Sequence, residues 1–133
     1  DVADWVGTHI LEDGSANIRK ALRELTPEHV EARFNPDVPN HPDVTYWSYG
    51  CQAGRGTDTP IAPIFRYLNG YLYEREGAND GIVSVRSARW GKYQGTVNAD
   101  HGRQVGLSSG LASHFDSNAF YASIAENLAQ EEG

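Results

Sequence analysis

The sequence predicts an α/β fold, because two strand-like segments are separated by a long stretch with helical periodicity. The segments "DVTYWSYG" at 43–50 and "KYQGTVN" at 92–98 are rich in β-branched and aromatic residues, which favour strands. A long connection that contains helices is typical of parallel pairing. Two parallel strands cannot cover both of their faces or satisfy both outer edges alone. We therefore expect part of the sheet to come from another segment.

The residues before the first strand predict helices. Segments 1–11 and 14–25 carry apolar residues at helical spacing, and Ser15 can cap the second of them. "TPEHVEARFN" begins with Thr26 as N-cap and Pro27 at the first helical position. The prolines of "NPDVPNHP" are then expected to end helical structure.

The residues between the two strands predict a loop and then a helix. Gly50 is expected to end the first strand, and "CQAGRGTDTP" reads as loop. Segment 61–76 predicts a helix, with Gly70 as a weak point in its second half. The positions at helical spacing there are Ile61, Ile64, Phe65, Leu68 and Leu72.

Two further helices are predicted. "SVRSARW" at 84–90 predicts a short helix that Gly91 stops. "SNAFYASIAENLAQ" at 117–130 predicts an amphipathic helix with Asp116 as its cap. Its inner face is expected to carry Phe120, Ile124 and Leu128.

Composition excludes several classes of protein. The net charge of -7 and the pI near 5.1 argue against nucleic acid as a partner, because phosphates must be met by clustered Lys and Arg. No apolar stretch approaches the roughly 18 residues that a membrane span needs. Cys51 is the single cysteine, so we expect a buried thiol or a disulfide to a segment outside this chain. No signal peptide is visible, and the compartment is left open, with secretion as one option.

Two polar turns present residues that could carry chemistry. "GANDGIVSV" places Asp80 after the first strand, and "NADHG" places His101 just after the second. Active groups of open α/β sheets collect at the carboxyl ends of strands. A carboxylate bonded to one imidazole nitrogen fixes the tautomer, so the other nitrogen can take a proton from a serine. An oxygen of Asp80 should then lie about 2.6–3.2 Å from a ring nitrogen of His101. The alternative is an ordinary Asn-Asp-Gly turn and a loop histidine.

No serine in the chain is a credible nucleophile. Ser48 in "YWSYG" stands where a G-x-S-x-G elbow would place it, but Tyr46 replaces the first glycine and would clash in the strained turn. The other candidates follow His101 against the expected order or lie in the predicted short helix: Ser84, Ser87, Ser108 and Ser109.

A metal site is a rival use of the same region. Asp100, His101, His114 and Asp116 could furnish hard or borderline ligands. Asp116 already has a role as a helix cap, and His114 lies in the loop before it. We therefore expect neither a metal site nor another cofactor.

Three stretches resemble bacterial and fungal triacylglycerol lipases, which are α/β-hydrolases. "LRELTPEHVEARFNPDVPN", followed by "VTYWSYG", resembles their segment leading into a late sheet strand. "EGANDGIVSVRSARWGKYQGTVNADH" is similar to their more specific N-D-G-L-V-S-x-x-S-A-x-W-G-x-x-x-G-T…D-H block. "HFDSNAFYASIAENLAQEEG" resembles their closing helix. The resemblance covers essentially this whole chain, and about the second half of such a lipase.

The resemblance implies an assignment for each part of the chain. Residues 1–133 would be the C-terminal portion of one α/β-hydrolase domain. Within it, 5–35 would form cap or lid-like helices, and 43–133 the last strands, the acid and histidine loops and the closing helix. Asp80 would be the catalytic acid and His101 the base, while Ile82 and Val83 would lie beside the acyl chain.

Two positions depart from the family pattern. Calcium-binding bacterial members carry an Asp two residues after the histidine, and here that position is Arg103. A cation cannot help to bind Ca²⁺, so we expect no such site. Gly102 stands where those members carry a bulky apolar residue, which leaves the acyl pocket roomier and the acyl preference open.

The expected function is that of a carboxylic-ester hydrolase, with triacylglycerol lipase as the leading hypothesis. It would act through a Ser-His-Asp triad whose serine and oxyanion hole lie upstream of residue 1, so this chain alone should be inactive. The expected partners are a lipid or other carboxylic ester, that upstream segment of the same enzyme and a lipid–water interface. The alternative is a non-catalytic binding or accessory module that retains a hydrolase-like shape.

Overall fold

The computed structural model describes residue 24 and residues 26–107 and 115–131. The chain divides into two compact units, Asp1–Thr45 and Tyr46–Gly133. The helices predicted at 1–11 and 14–25 lie outside the described residues, except for Glu24, which is helical. His114 lies outside them as well.

Residues 27–37 of the first unit form one continuous helical stretch. It consists of α1 (Pro27–His29), a π-helix (Val30–Phe34) and α2 (Asn35–Asp37). The predicted cap is present, because the Thr26 hydroxyl accepts the backbone N–H of His29 at 3.4 Å. The part of the chain from 5 to 35 is untested as a cap, and that assignment stays a prediction.

The helical stretch ends within the proline-containing segment 35–42, as predicted. The helix continues through Pro36 to Asp37, and the backbone N–H of Val38 still reaches the carbonyl of Phe34 at 2.9 Å. A proline lacks the N–H that an α-helix needs, and the π-turn just before it already interrupts the regular ladder there. The hydrogen bond that Pro36 cannot donate therefore falls where the helical hydrogen-bond pattern is already irregular.

The second unit contains a parallel strand pair, as the sequence predicts. Strands β1 (Trp47–Cys51) and β2 (Lys92–Val97) pair in parallel, and within the described residues the sheet has these two strands. The register shifts between Ser48 and Tyr49, and Cys51 then aligns with Val97. Both strands lead into loops at the same edge of the sheet. This arrangement is compatible with an α/β fold.

The first strand differs in its bounds from the prediction. It begins four residues later than 43 and runs through Gly50 to Cys51, so Gly50 does not end it. A Cβ at Gly50 would lie 2.7 Å from the Tyr93 hydroxyl and 3.1 Å from a methyl of Val85. The glycine is therefore explained by close packing inside the strand, and not by a turn.

Helix α3 (Arg66–Glu76) follows a 3-10 turn at Pro63–Phe65. Residues 52–60 form a loop, as predicted. Gly70 does not interrupt the helix, since its neighbour Asn69 is buried and fixes the helix from the inside. Ile61 is buried just before the 3-10 turn, whereas Ile64 is exposed, so the predicted apolar stripe is only partly buried.

The predicted helix at 84–90 is wrong, because this segment forms turns. The Ser84 hydroxyl accepts the backbone N–H of Ser87 at 3.0 Å and donates to the Glu76 carboxylate. The Ser48 hydroxyl accepts the backbone N–H of Trp90 at 2.8 Å. Serine side chains thus take over backbone partners that a helix would have used.

Helix α4 (Ser117–Glu131) is the predicted closing helix. The Asp116 carboxylate accepts the backbone N–H of Ala119 at 3.0 Å, which confirms the predicted cap. Phe120 packs edge-on against Tyr49 of β1, with ring centroids 5.1 Å apart. Leu128 is exposed, so the inner face does not extend to the end of the helix as predicted.

The buried residues of the second unit collect around the ends of the strands. The buried apolar side chains there are Cys51, Ala53, Ile61, Ala62 and Ala99. The buried polar ones are Asn69, Asn79, Asp80, Ser84, Asp100 and Arg103. Among the described residues, no helix is both long and apolar enough to cross a membrane.

Candidate active site

Asp80 lies in the turn that follows helix α3, here called the acid loop (residues 77–84). Its Oδ1 atom accepts the backbone N–H groups of Ile82 at 2.9 Å and Val83 at 2.7 Å. Gly81, between Asp80 and Ile82, has a φ of +104°, which residues with a side chain rarely adopt. The tight turn predicted from Asn-Asp-Gly is therefore present, and it orients the carboxylate instead of competing with a function.

His101 lies in the loop that follows β2, here called the histidine loop (residues 98–107). Its Nδ1 atom is 2.9 Å from Oδ2 of Asp80, which is the distance expected from the sequence. Its backbone N–H also donates to the carbonyl of Asp80 at 2.9 Å. The Asp80 side chain is 4% exposed and that of His101 is 41% exposed. A buried carboxylate thus holds an imidazole that solvent can reach.

The two groups shift each other's proton affinity. Burial raises the pKa of the Asp80 carboxyl. Hydrogen bonds from His101, Val83 and Ile82 lower this pKa by more than burial raises it, so it lies below the ordinary value. The hydrogen bond to Asp80 raises the pKa of His101 by more than burial lowers it. The carboxylate is therefore anionic at neutral pH and stabilises the imidazolium, as an orienting acid must.

The imidazole has the geometry of a general base. With Nδ1 bound to Asp80, the neutral tautomer carries its proton there, and Nε2 is left as the acceptor. Phe65 stands edge-on to the ring, with centroids 6.3 Å apart. Among the described residues, no serine hydroxyl is hydrogen-bonded to this ring, and that of Ser48 donates to the Trp90 carbonyl at 2.7 Å. Ser108 and Ser109 lie outside the described residues.

Cys51 ends β1 close to this pair. It is buried and free, and burial, followed by the charge of Asp80, raises the pKa of its thiol to about 12. A thiol with that pKa stays protonated at neutral pH, and a protonated thiol is a poor nucleophile. Cys51 therefore acts as a small buried apolar residue, in line with the buried thiol expected from the sequence.

Two buried amides support the acid loop. Asn69 of α3 donates to the carbonyl of Ala53 and to the side-chain oxygen of Asn79, both at 2.8 Å. Asn79 donates in turn to the carbonyls of Asn69 and Gly77, at 3.1 and 3.0 Å. The side-chain oxygen of Asn79 also accepts the backbone N–H of Gly81 at 2.9 Å. These bonds tie helix α3 and the residues after β1 to the loop that carries Asp80.

Asp100, next to His101, is occupied by structural contacts. Its carboxylate accepts the backbone N–H groups of Ala62 at 3.1 Å and Arg103 at 3.0 Å. The buried guanidinium of Arg103 lies 3.8 Å from it and also donates to the carbonyl of Pro60 at 3.4 Å. The part of the chain that the structure describes contains no cluster of three His, Cys, Asp or Glu residues that could hold a metal ion. Asp100 thus anchors the histidine loop to the segment before α3.

The residues expected beside an acyl chain lie next to the acid. Ile82 is exposed and Val83 is half-buried, and both hold the Asp80 carboxylate through their backbone N–H groups. Gly102 has room for a methyl group, because a Cβ there would lie 3.6 Å from Leu107 and 3.7 Å from Phe65. Contact with an acyl chain remains a prediction for Ile82 and Val83.

Sequence reasoning missed three polar residues of the site. Asn69 gives no signal because it lies within a helical pattern, and Asn79 gives none because asparagine is common in turns. Gln104 donates from its side-chain nitrogen to Oδ2 of Asp80, the same oxygen that His101 binds. The only signal for Gln104 is its place three residues after His101 in a loop.

The similarity to known proteins is partial. No protein-family model matches the chain. A stretch of 71 residues is 37% identical to "Triacylglycerol lipase 2" of Saccharomyces cerevisiae. The match covers 51% of this chain and 21% of the yeast protein. The chain is thus similar over half of its length to part of a lipase.

Proposed function

We propose that these residues are the acid-and-histidine part of a serine-dependent carboxylic-ester hydrolase, with triacylglycerol as the leading substrate. The observation that carries the proposal is the 2.9 Å contact between His101 Nδ1 and a buried, anionic Asp80. The partial similarity to a triacylglycerol lipase supports the substrate class. Asp80 is the proposed catalytic acid and His101 the proposed base.

The proposed cycle uses these two side chains for proton transfer. Nε2 of neutral His101 takes the proton of a serine hydroxyl as the hydroxyl attacks the ester carbonyl, and Asp80 stabilises the imidazolium that forms. The imidazolium then returns the proton to the leaving alcohol. In the second half, His101 takes a proton from the water that attacks the acyl-enzyme, and it returns that proton to the serine oxygen as the fatty acid leaves. Ile82 and Val83 are proposed to lie beside the acyl chain.

The serine and the oxyanion hole are proposed to lie upstream of residue 1. Two observations support this. The hydroxyls of Ser48 and Ser84 are engaged with Trp90 and Glu76, away from His101. A parallel sheet needs further strands to cover its edges, and the sheet of the described residues contains two strands. The proposed cap role of residues 5–35, and opening of that cap at a lipid–water interface, belong to the same hypothesis.

The test is to treat the full-length protein with a fluorophosphonate, which labels activated serines, and to locate the label by mass spectrometry. The expected site is a serine in a G-x-S-x-G sequence outside residues 1–133. His101→Gln should abolish labelling, and Gln94→Met, on exposed β2, should leave it unchanged. A label on Ser48, or label intensity that His101→Gln does not alter, would contradict the proposal.

Substrate class is tested separately with emulsified long-chain triacylglycerol and with a soluble short-chain ester. The lipase hypothesis expects faster hydrolysis of the emulsion. Faster hydrolysis of the soluble ester would indicate an esterase for soluble substrates and not a lipase. Binding to lipid without hydrolysis or labelling would favour the non-catalytic accessory module.

A further inference from the structure

The Asp80 carboxylate has all of its acceptor positions filled. Oδ1 accepts two backbone N–H groups of its own loop, from Ile82 and Val83. Oδ2 accepts His101 and the side-chain N–H of Gln104. A carboxylate has about four lone-pair sites, so each hydrogen bond has one. The proposed chemistry uses only the bond to His101.

Gln104 reaches this oxygen because of the local backbone. It lies in a 3-10 turn (Arg103–Val105) that begins two residues after His101. The turn is anchored, since the backbone N–H groups of Arg103 and Gln104 both donate to the carbonyl of Asp100, at 3.1 and 3.3 Å. Residues three apart on such a turn lie on the same side. His101 and Gln104 therefore approach one oxygen together.

We propose that Gln104 is a positioning residue for the Asp80–His101 pair, holding the carboxylate plane toward the imidazole and taking up part of the negative charge on Oδ2. This inference rests on the proposed function, in which His101 is the base. Gln104 touches no reacting atom and acts through Asp80. A carboxylate with a second donor on Oδ2 cannot rotate away from Nδ1 without breaking that bond.

Few charged groups act on His101. Asp80 and Asp100 both raise its pKa, and Phe65 on the neighbouring turn is uncharged. Arg103 is paired with Asp100, and the raised pKa of the buried Cys51 thiol keeps it uncharged. Removal of the Gln104 donor leaves these groups in place, and the two backbone N–H groups on Oδ1 still keep the Asp80 carboxylate within reach of His101. The negative charge of Oδ2 is then shared with the imidazolium alone. The pKa of His101 should therefore rise.

The test is Gln104→Met in the full-length protein, which keeps the length of the side chain and removes the donor. Activity needs neutral His101, so the acid limb of the pH profile of kcat/KM should move to higher pH. We expect kcat to fall about tenfold and KM to change little, because orientation matters chiefly in the transition state. Gln94→Met is the matched control, since Gln94 is exposed and, among the described residues, its side chain donates to the backbone of its own strand at Lys92. The control should match wild type.

A direct titration separates this inference from the proposed function. NMR of protein labelled with ¹⁵N-histidine, with the His101 signal assigned by His101→Gln, reports the ring pKa whether or not esters are hydrolysed. A higher His101 pKa in Gln104→Met supports the sharing of Oδ2 between Gln104 and His101 even if the protein proves to have no hydrolase activity. Gln104→Asn, whose shorter side chain cannot reach Oδ2, should show the same shift and serves if the Met variant does not fold. A His101 pKa equal to that of Gln94→Met would overturn the inference.

Discussion

The acid loop and the histidine loop hold the two partners of the pair in different ways. Asp80 is buried in the acid loop, and the backbone of that loop and two buried amides fix it. The histidine loop leaves His101 exposed to solvent, and it is anchored through Asp100 and Arg103 to the segment before α3. Asp80 is thus fixed mainly by hydrogen bonds to its own side chain and loop, whereas His101 is fixed through the contacts of its neighbours Asp100 and Arg103. Mutations in the two loops should therefore have different consequences.

The largest effect is expected for Asp80→Asn in the full-length protein. The amide keeps the size of the side chain, but it cannot stabilise the imidazolium and favours the wrong histidine tautomer. By analogy with serine hydrolases, kcat should fall about 10⁴-fold. Steady-state hydrolysis of a soluble ester measures this. A loss below about tenfold would exclude Asp80 as the catalytic acid.

The anchor of the histidine loop is tested by Arg103→Met. Both Arg103 and Asp100 are buried, and removal of one buried partner leaves the other uncompensated. Asp100 keeps its two backbone donors, so the free energy of unfolding should fall by about 3 kcal/mol, the lower end for a broken buried pair. Chemical denaturation measures it.

Arg55→Met is the control for this variant. Arg55 pairs with Glu74 at the surface, where both side chains are more than half exposed, and also lies over the Tyr73 ring. Its removal should cost less than about 1 kcal/mol. Equal losses for Arg55→Met and Arg103→Met would show that burial of the Asp100–Arg103 pair is not what anchors the loop.

A pair of glycines compares the two loops directly. Gly81 has a φ of +104°, and a Cβ there would lie 2.6 Å from that of Phe65. Gly81→Ala should therefore lower the free energy of unfolding by about 2 kcal/mol. Gly102 has an α-helical φ of -74° and only ordinary contacts, so Gly102→Ala should change it by less than about 1 kcal/mol. Similar losses for both variants would show that the acid loop is no more constrained than the histidine loop.

The smallest effect is expected in the pH dependence of stability. The lowered pKa of Asp80 stabilises the fold at pH values above its unfolded pKa, near 3.8. This contribution is lost as pH falls through the folded pKa. The raised pKa of His101 stabilises the fold at pH values below 6.5, its unfolded pKa. This stabilisation is lost as pH rises through the folded pKa. The difference in stability between wild type and His101→Gln should therefore be largest between about pH 4 and 6.5.

The exposure of His101 limits the size of this difference. Solvent screens the pair, so we expect less than about 1 kcal/mol. Unfolding midpoints measured across this range give the result. A difference that grows steadily above pH 7 would contradict the assigned directions.

Much of the fold could be predicted because its signals are local. The parallel pair follows from two short strand patterns with helical residues between them, and the cap of α4 follows from Asp116. The predicted helix at 84–90 failed because the hydroxyls of Ser84 and Ser48 bond to the backbone there, and only the tertiary structure brings Ser48 to Trp90. Propensity cannot register such distant partners.

The candidate site was predictable in part for the same reason. Asp80 and His101 could be predicted as neighbours because each lies in a turn after a strand, and the carboxyl ends of parallel strands meet at one edge of the sheet. Asn69 and Gln104 could not be found, because their partners lie in other segments and an amide has no local pattern of its own. Their roles depend on the packing of helix α3 and the histidine loop around Asp80.

Asp80 and His101 are joined twice, once through their side chains and once from the His101 backbone N–H to the Asp80 carbonyl. Two attachment points remove the freedom of one residue to pivot about the other. A displacement of either loop is therefore shared by both residues, and the separation between carboxylate and ring is preserved during such a movement. Movements of the residues around Asp80 and His101 should therefore leave the alignment of the pair unchanged.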